Sequence, residues 1–214
     1  MLCMFVFFIS FSFSSLIFSL NFSFASESSE YHLQLRWGTE GTENGQFMVP
    51  HSMAFDSEGN IYVTDTNNHR IQKFTSDGQF ITKWGSEGNG DGEFSSPEGI
   101  DLDSRGNVYV ADTGNSRIQK FTSDGQFITK WGSEGNGDGQ FGLPLGIGID
   151  SKGNIFIIDQ ATSSIHKFSN KGEILNKLIF NFDKLEDIEI DSNDDIYVTD
   201  RNKNEILKIS QIVN

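Results

Sequence analysis

The sequence predicts an all-β fold in which short four-stranded sheets stand side by side around one axis. Three observations predict it. The string RIQKFTSDGQFITKWGSEGNGDG occurs twice without change, at residues 70–92 and 117–139. The strings IYVTD (61–65), VYVAD (108–112), IFIID (155–159) and IYVTD (196–200) recur so that their last residues, Asp65, Asp112, Asp159 and Asp200, step by 47, 47 and 41. Each string is apolar almost throughout instead of alternating, so its sheet must be covered on both faces. A lone sheet in water leaves one face wet, whereas sheets stacked face to face cover both.

The chain opens differently. Residues 1–25 hold eight of the twenty phenylalanines and no charged side chain, which marks a signal peptide or an N-terminal membrane anchor. Ser23-Phe24-Ala25 is a small-x-small cleavage site ahead of the polar SESSE. The lack of a Lys or Arg before the apolar run, and the run's length, suit retention as an anchor. Either outcome puts the rest outside, as a secreted or extracellular protein or one tethered by this segment. Residues 26–31 read as a linker, 32–210 as the repeat domain and 211–214 as a C-terminal tail.

Composition narrows the function classes. The 214 residues are 36% hydrophobic, enough for a buried core. Cys3 is the one cysteine, so no disulfide forms within the chain and no cysteine-built zinc site exists. Sixteen Lys and Arg against thirty Asp and Glu give a charge of −14, all of it beyond residue 25. Such a surface repels phosphates and argues against nucleic acid and against docking on an anionic membrane face. A membrane role is left only to an uncleaved N-terminal segment.

Each unit divides into four runs. In the first, HSMAFD (51–56), NIYVTD (60–65), RIQKFT (70–75) and QFITKWG (79–85) are runs a to d, with Ser57-Glu58-Gly59 and Asp77-Gly78 as hairpin turns. A unit of 40-odd residues with four strands is the pattern of a β-propeller blade. The strings SPEGIDLDSRGNVYVADTGNSRIQKF and WGSEGNGDGQF resemble NHL repeats. The resemblance is close over 51–85 and 98–132, weaker over 145–180 and eroded over 186–209. It implies a β-propeller of NHL-like four-stranded blades. It also implies relatives of two kinds: binding modules, and metal-dependent lactonases or lyases with a divalent ion near the axis.

Residues 32–38, HLQLRWG, match run d alone, and 186–209 supply a, b and c alone. The N-terminal strand is thereby expected to complete the fourth blade and close a four-bladed ring. Two alternatives stay open: an arc that associates with another copy as a homodimer, and a fragment of a larger ring.

Two groups of residues are candidates for ligand binding. The start of run a lies nearest the axis and holds His51, Glu98, Leu145 and Glu186, three ionisable groups around a channel mouth. The b–c loops vary from blade to blade and bring Asn67, Asn68, His69, Asn115, Ser116, Arg201 and Asn202 to one face. No catalytic residue and no cofactor are expected, because no nucleophile or base with a partner is visible. The alternative is a lactonase- or lyase-like enzyme with a divalent metal at the channel mouth. His32, His51, His69 and His166 fall at different places in the repeat and are not expected to converge on a metal. EGNGDGEFSSPE (87–98) has EF-hand spacing but strand flanks. Asp65 and its equivalents are expected to cap turns, with Arg70 and Arg117 pairing to such carboxylates. The partner expected is a protein or a glycan.

Overall fold

The computed structural model describes residues 33–211. A short parallel pair, β1 (Thr39–Glu40) and β2 (Gln46–Phe47), leads into the first blade. That blade comprises β3 (Pro50–Phe55), β4 (Ile61–Asp65), β5 (Arg70–Phe74) and β6 (Phe80–Trp84). The second holds β7 (Pro97–Leu102), β8 (Val108–Asp112), β9 (Arg117–Phe121) and β10 (Phe127–Trp131). The third holds β11 (Pro144–Ile149), β12 (Ile155–Asp159), β13 (Ser164–Phe168) and β14 (Ile174–Leu178). The last has β15 (Leu185–Ile190), β16 (Ile196–Asp200) and β17 (Glu205–Ile209). Every blade is an antiparallel meander whose strands follow sequence order, so the runs a to d are its strands.

The apolar character of run b is explained by the core. Ala54, Tyr62 and Ile71 of the first blade close on Phe94, Ile100, Val108, Val110 and Phe121 of the second. Tyr109, Ala111 and Ile118 meet Phe141, Ile147, Ile155, Ile157 and Phe168 of the third in the same way. Phe156, Ile158 and Ile165 then meet Phe182, Leu185, Ile188, Ile196 and Val198 of the fourth. Alternate residues of one strand thus serve two different cores. At about 1.5–3 kcal/mol per fully buried large apolar side chain, these three interfaces dominate stability.

Tryptophans lock the first sheet to the second and the second to the third. Trp84, at the end of β6, lies against Phe121 and over the β9–β10 turn, where a Cβ on Gly125 would fall 2.6 Å from its ring. Gly125 has φ +87°, so this turn needs glycine both for its backbone and for the indole above it.

The four antiparallel blades of a β-propeller are present as the repeats predict. The N-terminal strand is not. Among the described residues, 33–38 take no strand, the fourth sheet has three strands, and β17 keeps a free edge; His32, the first residue of that run, lies outside them. The physical reason is packing: Trp37 sits on Phe74 and Gly78 of the first blade, as Trp84 sits on Phe121 and Gly125. The segment therefore follows the first blade. Inner strands pack in sequence, β3 on β7, β7 on β11 and β11 on β15, and among the described residues no contact of like extent joins β15 to β3.

Candidate functional site

In every blade the start of strand a pairs with the end of strand b: Pro50 with Asp65, Pro97 with Asp112, Pro144 with Asp159 and Leu185 with Asp200. The channel mouth and the b–c loops are therefore at one end of the stack. Inner strands of all four blades line a cleft of about 600 Å³, with His51, Asp101, Glu186, Asp187 and Glu189 among its walls. A Cβ on Gly99 would lie 2.0 Å from the Leu145 carbonyl oxygen, so the glycine of Pro97-Glu98-Gly99 lets neighbouring inner strands approach.

The structure brings the three predicted axial residues to this mouth. His51 Nε2 lies 3.6 Å from Glu98 Oε2, and Glu186 Oε1 lies 3.0 Å from Arg201 Nη1. Burial raises the Glu98 carboxyl, His51 counteracts it, and Glu186 adds to the rise. Leu145, between them in the order of blades, is buried and apolar. Deeper in, burial pushes Asp101 up to about 7, with Glu189 reinforcing it. Glu189 is itself raised by burial and by Asp187. Sequence reasoning missed this second carboxylate layer. Its signal was an acid at the place that Ala54 and Gly148 hold in other blades, inside the run IDLD.

The predicted loop residues divide in two. Asn68 Nδ2 donates to the Gly41 carbonyl and to Asp65, each at 2.9 Å, and Asn115 Nδ2 donates to the Gly88 carbonyl at 2.8 Å and to Asp112. His69 Nδ1 accepts from the Ser96 amide at 3.1 Å, and Ser116 is buried. These four side chains or positions serve the scaffold. Asn67, Arg201 and Asn202 stand exposed, as do Gly114 and Ala161 at the Asn67 place in the second and third blades.

What holds the loops is a buried corner. Asp112 is fully buried and accepts from the Ser95 amide (2.7 Å), Arg117 Nε (2.6 Å), Gln119 Nε2 (2.9 Å) and Asn115. Asp65 does the same with Met48, Arg70, Gln72 and Asn68. The expected arginine pairing is found. The amide donors at 2.7 Å, however, come from the segment entering the blade, not from the b–c loop. Arg117 also donates to the carbonyls of Asn89, Gly90 and Glu93. A guanidinium thus occupies the centre of the loop whose spacing imitates a calcium site. In the third blade Ser164 replaces the arginine, and His166 is buried against Phe141 and Phe168.

The NHL repeat model matches residues 47–74 and 94–121. The B-box type zinc finger protein ncl-1 of Caenorhabditis elegans is 46% identical over 50 residues, which are 23% of this chain and 6% of that protein. Protein brain tumor of Drosophila melanogaster is 44% identical over 50 residues, 23% of this chain and 5% of that protein. The chain thus spans a small part of the length of these relatives. Among solved structures, a streptogramin B lyase superposes with a TM-score of 0.59 at 18% identity, covering 75% of this chain and 51% of that one. A nidogen/laminin complex gives 0.60 at 21%, covering 76% and 60%. At such identities the likeness is one of fold. This chain thus carries two NHL repeats, in consecutive blades of a stack of antiparallel sheets.

Proposed function

We propose that the protein is an exported, non-catalytic binding module that meets a protein or glycan partner with its channel-mouth face. One observation carries the reading. Once the side chains committed to the scaffold are set aside, the exposed position at the centre of each b–c loop is Asn67, Gly114, Ala161 and Asn202 in turn, on blades whose frame repeats. A rigid frame presenting different side chains at equivalent points is how a repeat surface acquires specificity. Around them His51, Glu98, Glu186 and Arg201 give the mouth both signs of charge, which steers and registers a partner. Export rests on residues 1–25, which lie outside the described residues.

The test compares two faces. Asn67→Lys with Arg201→Glu changes the channel-mouth end, and Asp77→Lys with Asp124→Lys changes the opposite end. Affinity capture of extracellular proteins and glycans is expected to lose its specific partner with the first pair and keep it with the second. The reverse pattern refutes the face assignment. Stoichiometric divalent metal, lost on Glu98→Gln with Glu186→Gln, would favour an enzyme.

A further inference from the structure

We infer that two copies of this chain close one eight-bladed ring, head to tail, each lending its N-terminal segment to the fourth blade of the other. The starting observation is a set of exposed apolar residues on two sheet faces whose counterparts are buried elsewhere in the chain; on the first of these faces Ile61, Val63 and Phe74 are already buried with Phe47 and Phe80, and the strand-a residues are the exposed ones. Ile100, Ile147 and Ile188 face the preceding blade and are 4%, 6% and 2% exposed, whereas Met53 at the same place is 61% exposed and Phe55 beside it 60%. Ile71, Ile118 and Ile165 face the following blade and are all 0% exposed, whereas Ile206 at the same place is 74% exposed. Among the described residues no blade precedes the first and none follows the fourth.

The contact needed is one that the molecule already makes three times, so the occupant follows from the repeat. A fourth-blade face is built to receive the face that a first blade presents. Polar groups repeat as well. Tyr62 and Lys73 reach the Ser123 carbonyl of the next blade, and Thr64 reaches that of Glu98. Tyr197, Lys208 and Thr199 stand at those three places in the fourth blade, with Ser76 and His51 of the second copy at the accepting ones. The axial side chains repeat too: Glu186 would come beside His51 of the second copy, as His51 lies beside Glu98 within the chain.

The free edge of β17 supplies an independent strand site. In complete blades Trp84 pairs with Ile71, Lys83 with Gln72 and Thr82 with Lys73. Transferred to the last blade, this register sets Trp37, Arg36 and Leu35 of the second copy opposite Ile206, Leu207 and Lys208. Trp37 is already held over Gly78 as Trp84 is over Gly125, so the segment stands where a preceding blade's outer strand belongs, without the blade. The matched part of this chain covers 51% and 56% of the length of two lyase chains of similar fold, so a structure of this kind has room for a second arc of like length. Two four-bladed arcs make eight blades, within the range of known propellers. Two heterologous contacts related by a two-fold axis close, whereas a wrong rotation would give filaments.

The experiment uses cross-strand cysteines in the full exported chain. In a Cys3→Ser background, Leu35→Cys and Lys208→Cys are placed on separate chains and mixed under mild oxidation. Opposed residues in an antiparallel pair have Cα atoms about 4.5–5.5 Å apart, within the range that a disulfide spans. The expected result is a covalent heterodimer from the mixture, with unmodified protein sedimenting as a dimer. Met53→Asp or Ile206→Asp is expected to weaken dimerisation at least tenfold while the monomer keeps its far-ultraviolet circular dichroism. A disulfide within one chain carrying both cysteines, with no product from the mixture, would overturn the proposal in favour of a four-bladed ring. A monomer without cross-link, or open-ended polymers, would overturn it too.

Discussion

Replacing Asp112 by Asn keeps the shape of the corner and removes its charge. The consequence can be worked from the contacts. Asp112 is fully buried, and the Arg117 side chain, 8% exposed, loses the carboxylate at 2.6 Å while remaining charged. Breaking a buried pair by removing one partner costs about 3–5 kcal/mol, because the remaining charge is stranded. Asp159 provides the control. It is equally buried and accepts from the Gly142 and Leu143 amides and Thr162, but Ser164 stands where the arginine would be. Asp159→Asn therefore loses only hydrogen bonds to a charged acceptor, about 1.5–3 kcal/mol. Urea unfolding followed by tryptophan fluorescence and by circular dichroism measures both, provided the two probes give one midpoint. Asp112→Asn is expected to be the costlier by about 1–3 kcal/mol. Equal costs would refute the claim that the arginine makes this corner electrostatically distinct. Asp112→Asn with Arg117→Met is expected to recover part of the loss, since no charge is stranded, but not all, because the carbonyls of Asn89, Gly90 and Glu93 lose their donor.

Three further outcomes follow from the same structure. Gly125→Ala is expected to cost more than Gly92→Ala in urea midpoint. Both have positive φ, at +87° and +80°, but the new methyl meets Trp84 at 2.6 Å in one and only Phe121 at 4.0 Å in the other. Asp101 is protonated more readily folded than unfolded, so it makes stability fall as pH rises from about 4 to its folded value of about 7. Asp101→Asn should accordingly raise Tm more at pH 8 than at pH 5, and an equal rise at both would contradict the assignment. His166 is held down to about 4 by burial, so the unfolded chain takes up its proton first and stability is lost as pH falls from about 6.5 to 4. His166→Gln, restoring the residue of Gln72 and Gln119, should remove that loss and add about 1 kcal/mol by giving partners to the place where His166 Nδ1 has none.

Much of the architecture was legible because the repeat multiplies every signal. Four apolar b strands, glycine turns and tryptophans at one spacing specify blades, and strand bounds agree with runs a to d to within a residue. Ring closure was not legible. It depends on the angle between neighbouring sheets, and a matched run d at 32–38 says nothing about which blade that run follows. The loop face was half legible. Asn68 and Asn115 recur at one place beside an Asp and an Arg, and such recurrence marks scaffold; the variable neighbours Asn67 and Gly114 are the ones left to solvent. The carboxylates of Asp101 and Glu189 escaped notice because their significance comes from four inner strands meeting, which no single run displays.

Amide hydrogen exchange at protein concentrations low enough to keep the chain monomeric tests most directly that only the three internal blade interfaces are made. Strand β9 is bonded on both edges and covered on both faces, whereas β17 is bonded to β16 alone. The account predicts that peptides over 117–121 exchange at least tenfold more slowly than those over 205–209, with the difference shrinking as concentration rises. Equal and strong protection of both segments in the monomer would contradict it, because a ring already closed within one chain would shield them alike.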